Sequence, residues 1–287
     1  IHIMMKKGIT ALLLGLTIGV SAVSVNTSVA SAATSTSSRA YAPITRLTKV
    51  NYYTTMGANS THNYGVYATG AYQTSANNEK TISTGRSFAN KTIHITREEV
   101  VNGVTWLKFT YNHKQTGWIE QKATVTSTYR LYAPMIGQRP QLPTGCEITA
   151  TAMMLQFGGA KVDKMSLAKE MPRSSNPNKG FVGSPYSASG WYVFPGGLMG
   201  VVKAHMGTAK NMTGASLTSI KSQVRRNHLV VVWVANVDGF SNHALTVTGY
   251  SKSRIYYNDP WTKQRTSMTN SAMTTHRKAD ANRALSY

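Results

Sequence analysis

Around Thr126-Ser127-Thr128 the chain changes texture, and that change limits the folds open to it. From Leu47 to about Val125 it carries short β-runs broken by turn residues, such as Thr92-Ile93-His94-Ile95-Thr96 and Val104-Thr105-Trp106-Leu107-Lys108-Phe109. Asn102-Gly103 lies between two such runs, and a type I′ hairpin turn needs a positive φ at both of its central residues. No helical period shows in this stretch, which predicts a small all-β barrel. Beyond Thr128, Ile148, Ala152 and Leu155 recur at helical spacing until Gly158-Gly159, and Leu217, Ile220 and Val224 mark a second amphipathic helix. Leu229 to Val234 reads as a buried strand. Ala244 to Thr248 and Ile255 to Tyr257 read as two more, joined by a turn over Gly249 to Arg254. Helices followed by sheet predict an α+β domain. A single cysteine in 287 residues leaves neither half a disulfide or a Cys-rich zinc site to staple it, so both must rest on apolar cores.

Charge and the N-terminus bear on destination. Thirty-one Lys and Arg against ten Asp and Glu give +21 at pH 7, a surface that seeks polyanions. Lys6-Lys7, an apolar run from Ile9 to Val23 and Ala30-Ser31-Ala32 read as a secretory signal peptide over 1–32, preceded by three residues that look extraneous. A membrane anchor fits less well, because Gly15, Thr17, Gly19 and Ser21 interrupt a run already short for a hydrocarbon core of ~30 Å. No later run reaches ~20 apolar residues, so no transmembrane segment is expected in the mature chain. Export demotes nucleic acid as the partner and promotes an anionic polymer of the cell surface. Residues 33–46, rich in Ser, Thr and Ala, read as a linker.

Cys146 follows Pro143-Thr144-Gly145 and opens a helical period, so it sits near a helix N-terminus, where partial positive charge favours the thiolate. A buried inert thiol is the plainer reading, yet a lone cysteine in an oxidising compartment is a liability unless it is used. A cysteine nucleophile needs a base, itself usually held by a third group. Among eight histidines, His243 follows a turn and opens a strand, and Asp259 ends the next strand before Pro260, so two neighbouring antiparallel strands could place them together. A structural histidine beside an Asp-Pro turn fits the same residues. Phe181, Tyr186, Trp191, Tyr192 and Phe194, punctuated by glycines, could line a cleft or form an ordinary packed loop. No His/Asp/Glu cluster stands at metal-ligand spacing, no phosphate loop is present, and Arg225-Arg226 reads as a solvated helix end. Neither cofactor nor metal is expected.

Asn63-Tyr64-Gly65-Val66-Tyr67, Val104 to Phe109 and Gln115-Thr116-Gly117-Trp118-Ile119 resemble the GW module, an SH3-like barrel of exported proteins of Gram-positive bacteria. The resemblance covers 47–126 and implies attachment to anionic cell-wall polymers. Trp106 and Trp118 themselves are expected in the core, leaving binding to exposed Lys and Arg. This stretch, counted from Arg46, holds nine basic against four acidic residues, so retention on wall material should be lost in salt.

Ala133 to Gln138 and Leu142-Pro143-Thr144-Gly145-Cys146-Glu147-Ile148 resemble the start of the bacteriocin-leader-peptidase-like proteins, a branch of the papain-like cysteine peptidases. Lys179 to Tyr186, Asn242 to Tyr250 and Tyr257-Asn258-Asp259-Pro260 resemble further motifs of that branch in the same order, within 130–265. The resemblance implies Cys146 as nucleophile, His243 as base and then acid, Asp259 as the group that fixes the imidazole, and Gln138 as oxyanion donor, with Gln141 its rival. Two departures stand out. No ATP-binding or membrane-spanning part accompanies the domain, and Glu147 rather than an aromatic follows Cys146. The expectation is a GW-type barrel over 47–126 and a papain-like cysteine peptidase domain over 127–287. It would be exported and wall-associated, acting on a peptide or protein substrate. A peptidoglycan hydrolase or amidase of the same fold and a non-catalytic surface-binding protein are the rivals.

Overall fold

Strand β1 (Ile44–Thr55) is the first element in the computed structural model, which describes residues 39–58, 63–125 and 128–287. The expected signal peptide therefore lies outside the described residues. Residues 44–46, read from sequence as the end of a linker, already belong to β1, with Ile44 opposite Val101. A short ribbon follows, β2 (Gly65–Val66) against β3 (Ser83–Thr84). Then comes a meander of β4 (Thr92–Val101), β5 (Val104–Tyr111) and β6 (Lys114–Glu120). Asn102 and Gly103 have φ of 50° and 75° and close the β4–β5 hairpin, as the Asn-Gly signal predicts. Asn112 and His113 make a second positive-φ pair between β5 and β6.

Trp106 and Trp118 are buried with Ala71 and Val101 in a small core of their own. Enclosing a side chain of that size is worth about 3 kcal/mol, which explains why the Gly-Trp dipeptide faces inward rather than toward a ligand. The strands make an open antiparallel order, with isolated bridges Met56–Thr124 and Tyr67–Trp118 beside it.

The sheet does not end where the texture changes. Strand β7 (Tyr129–Leu131) pairs with β1 on one side, Tyr52 opposite Leu131. On the other it pairs with Gly249 and Tyr250. Tyr52, Tyr129 and Tyr250 stack across this seam, with centroids 4.4 Å and 6.2 Å apart. Gly249 is required there, since a Cβ would stand 2.5 Å from the Tyr129 carbonyl oxygen. Tyr41–Tyr287 thus form one compact unit.

The C-terminal half adds α1 (Cys146–Phe157), α2 (Lys164–Glu170), α3 (Pro195–Met206), β8 (Lys210–Asn211), α4 (Leu217–Arg225) and β9 (Val230–Val234). It ends with β10 (His243–Tyr250), β11 (Arg254–Asp259), β12 (Gln264–Thr269), α5 (Asn270–Ala279) and β13 (Ala284–Ser286). Eleven strands make one sheet: nine run in the order β6-β5-β4-β1-β7-β10-β9-β13-β8, β11 pairs with β10, and β12 pairs with β11. The architecture is mixed α/β, a large antiparallel sheet with five helices among the described residues, none long and apolar enough to cross a membrane. Every residue of α1 from Cys146 to Leu155 is buried, so it is a central helix rather than the one-faced helix its spacing suggests. Gly158 and Gly159 end it, the latter at φ 99°. Asp163, Ser216 and Thr269 cap α2, α4 and α5 through side-chain oxygens, each cap worth about 1 kcal/mol.

Candidate active site

Two elements bring the chemistry together. Cys146 is the first residue of α1, behind Gly145, and its thiol is free and almost wholly buried. His243 is the first residue of β10, the central strand against which α1 packs. Gln138, Cys146 and His243 line one cleft of about 390 Å³, together with Trp191, Tyr192 and Phe240. A larger cavity of about 620 Å³ lies away from these groups, along the seam of β1 and the end of α1.

The imidazole is held from several sides. Its Nε2 lies 2.9 Å from Asp259 Oδ1, at the end of β11, the pairing that adjacent antiparallel strands allow. Asp259 is fixed in turn: its Oδ1 accepts the Trp261 N–H at 2.8 Å and its Oδ2 the Thr262 hydroxyl at 2.9 Å. Phe240 stacks on the ring at 5.2 Å, Trp261 meets Phe240 edge-on, and the Arg139 guanidinium covers Trp261 at 3.9 Å. With Nε2 engaged, Nδ1 is the nitrogen left to exchange a proton with a thiol.

Two carboxyls escape sequence reasoning. Asp238 Oδ2 lies 3.7 Å from the same Nε2, carried by a tight turn whose residues Asp238 and Gly239 both have positive φ. Burial lifts Asp238 to about 6, helped by its hydrogen bond to Asp259 and by that group's charge. Burial also works to lift Asp259, but hydrogen bonds from His243, Asp238 and Thr262 outweigh it and hold Asp259 well below the carboxylate range. Asp238, His243 and Asp259 offer ligand atoms within 4.8 Å of one another, a cluster that sequence spacing did not reveal because a turn and two strands assemble it. The hydrogen bonds among these three side chains account for the cluster without invoking an ion.

Glu147 is the second. It is fully buried: Oε1 accepts the Val193 N–H at 3.1 Å and Oε2 accepts the Cys146 thiol at 3.2 Å. Burial pushes Glu147 up to about 7. Burial, and after it the neighbouring Glu147, push the Cys146 thiol well above its ordinary value. The helix N-terminus expected from sequence is present, but desolvation outweighs it and favours the protonated thiol of Cys146. The clue in the sequence was Glu147 itself, a carboxyl where an aromatic follows the papain cysteine.

Gln138 is buried, its Nε2 donating to the Pro143 carbonyl at 2.9 Å and that of Leu142 at 3.3 Å, while its Oε1 has no partner. Gln141 instead accepts from Lys164 Nζ at 2.8 Å and is not among the residues lining the cleft. The aromatic loop divides: Trp191 and Tyr192 line the cleft, whereas Phe181 is fully buried.

A helix-borne thiol and a strand-borne imidazole share one cleft, with a carboxylate behind the imidazole. Residues 130–282, just over half the chain, match the Peptidase_C39 like family, and the chain belongs to that family. Residues 46–125 match the GW (Gly-Tryp) dipeptide domain. YvpB of Bacillus subtilis, an uncharacterised protein, is 29% identical over 150 residues, which are 42% of this chain and 60% of YvpB. The chain thus spans less than two thirds of that relative. A Bacillus anthracis crystal structure assigned to the C39-like peptidases is 29% identical, covers 54% of this chain and 93% of its own, and superposes with a TM-score of 0.51.

Proposed function

We propose that the protein is an exported, wall-associated cysteine peptidase, with a GW-type SH3-like barrel over 47–126 and a papain-like catalytic domain over 127–287. The observation that carries the reading is the meeting of Cys146 and His243 in one cleft, with Asp259 behind the imidazole. In the reaction His243 Nδ1 takes the thiol proton and Sγ bonds to the carbonyl carbon of the scissile peptide. The proton passes to the leaving amine as the C–N bond breaks. Water, activated by the same imidazole, then hydrolyses the acyl-thioester. Asp259 keeps the proton on Nε2 and stabilises the imidazolium. The Cys146 backbone N–H and Gln138 Nε2 hold the developing oxyanion; Gln138 must first release one of its two carbonyls. Losing such a donor raises the barrier by ~2.7–4 kcal/mol.

The match to a wall-related module favours peptides of the cell wall as substrate. The buried, proton-holding thiol favours a rival, a binding protein with an idle catalytic half. Mass spectrometry on wall peptides and on a mixed peptide library, wild type against Cys146→Ala, decides among them. New amines from wild type, with turnover at least ~10⁴-fold lower in the variant and wall retention unchanged, are expected. Turnover surviving in Cys146→Ala would refute the nucleophile. A thiol-reactive probe that labels wild type and His243→Ala alike would favour the binding protein.

A further inference from the structure

Lys164 opens α2, yet its side chain turns away from the helix to the segment that carries Gln138. Its Nζ donates to the Gly137 carbonyl at 2.6 Å, to the Gln138 carbonyl at 3.1 Å and to Gln141 Oε1 at 2.8 Å. All three partners are neutral oxygens rather than a carboxylate. The place is a costly one for a lysine. Its charge stands in the first turn of a helix, where the dipole disfavours a cation. Burial, and after it the charge of Lys263, push the ammonium below its ordinary range. The Lys263 stem covers Gly137, where a Cβ would stand 3.1 Å from Lys263 Cδ. An unconstrained lysine would carry its head into water. The Gly137 and Gln138 carbonyls belong to the two peptide planes on either side of the Gln138 Cα. Further contacts tie the segment to the strand end behind the imidazole: the Gln138 N–H donates to the Pro260 carbonyl at 2.9 Å and Arg139 Nη2 to that of Trp261 at 3.0 Å. Within this frame the Gln138 side chain is the adjustable part, its Nε2 on two nearby carbonyls and its Oε1 without a partner.

We propose that Lys164 is a positioning residue for acyl transfer: by holding both peptide planes beside Gln138, it fixes the backbone from which that side chain turns to the oxyanion. The side chain has to exchange a carbonyl for the developing O⁻, and rotation about its own bonds achieves this only from a fixed Cα. Misplacing such a donor by ~1 Å costs on the order of 10²-fold in rate. The same ammonium also separates the two glutamines, engaging Gln141 Oε1 and leaving Gln138 to face the cleft. Lys164 is not among the residues lining the cleft, so it acts through Gln138 and not on the substrate. This role rests on the cysteine-peptidase reading above for the reaction, and on the hydrogen bonds alone for the hold on the segment.

The test is kinetics of the full chain on a p-nitrophenyl peptide ester, whose acyl transfer passes through the same oxyanion, beside hydrogen exchange read amide by amide. Lys164→Met keeps the stem and removes the three donors; Lys169→Met removes an exposed charge from the same helix. Lys164→Met should lower kcat by ~10- to 100-fold with KM within ~2-fold. Alkylation of Cys146 by iodoacetamide develops no oxyanion, and its rate should stay within ~2-fold. In a Gln138→Ala background Lys164→Met should cost no more than ~2-fold further. Lys164→Arg, which keeps charge and donors, should recover most of kcat and guards against a folding artefact. The Gln138 and Leu142 amides, bonded to the Pro260 and Gln138 carbonyls, should exchange at least ~10-fold faster in Lys164→Met and at the wild-type rate in Lys169→Met. Unchanged kcat, an equal loss in the Gln138→Ala background, or unchanged exchange at both amides overturns the role of Lys164. Faster exchange in Lys164→Met, where even wild type cleaves no ester, leaves the hold on Gln138 standing and removes the peptidase reading instead.

Discussion

The cleft and the basic face along the β1–β7 seam treat charge in opposite ways. In the cleft the ionisable side chains are largely out of water, and Glu147, His243 and Asp259 each have a named protein partner. Along the seam Arg46, Lys49, Arg225, Arg226 and Arg265 stand in solvent, and Glu98 is the one carboxylate among the described residues lining the same cavities. A buried charge changes the protonation of its neighbours and the stability of the fold. A solvated one is screened, contributes little alone and acts through number. Substitutions should reveal which physics governs each.

The largest effect on the fold should come from Glu147. Its folded value of about 7 lies above the ordinary value of 4.5, so between those two the folded protein binds the proton more tightly than the unfolded chain. Stability therefore falls as pH rises through that window, by about 3 kcal/mol in all. Glu147→Gln keeps an acceptor for the Val193 N–H but cannot ionise. The melting temperature of wild type should drop as pH rises from about 5 to about 7.5, while that of Glu147→Gln stays nearly flat. The same variant removes a negative charge beside Cys146, so alkylation at neutral pH should be faster. Parallel melting curves for the two proteins would place Glu147 with the solvated charges and break the comparison.

The two regions also differ in how far sequence discloses them. Cys146 at the start of a helix and His243 and Asp259 on two neighbouring antiparallel strands could be placed from sequence, because each stands at the end of an element, whereas Gln138 was singled out only by the motif resemblance. Glu147 was visible as a departure from a pattern but not as a buried acid, because the sequence around α1 suggests one apolar face whereas the fold buries the helix on all sides. Asp238 was hidden, since its position depends on a turn with two positive φ angles folding back on the imidazole. Strand β12 and helix α5 were hidden for another reason. Their exposed faces are polar and α5 turns only Met273 and Arg277 inward, too few for a period to show. The basic face of the seam is wholly tertiary: Arg46 and Arg265 share it only because β7 joins the two halves of the sheet.

A smaller effect is expected from Asp238. As pH rises through about 6 this carboxyl becomes charged beside Nε2, which favours the imidazolium and with it the thiolate. The acid limb of kcat/KM should then carry an inflection near that value. Asp238→Asn should remove it and lower kcat/KM at neutral pH by roughly 3- to 10-fold, with KM little changed. Superimposable profiles for the two proteins over about pH 5 to 8 would show that Asp259 alone tunes the ring.

The smallest effect should come from a single cation of the seam, and it sharpens the contrast most. Arg226 is exposed near the end of α4, without the ring stacking of Arg225. Arg226→Gln should change stability by no more than the few tenths of a kcal/mol that a solvated charge contributes. The change should vanish in moderate salt, where the screening length falls to about 8 Å. Thermal melts of the variant and wild type at two salt concentrations read this directly. A loss of ~3 kcal/mol or more that persisted in salt would mean a desolvated, partnered charge. The seam would then resemble the cleft, with one residue rather than their number setting the effect.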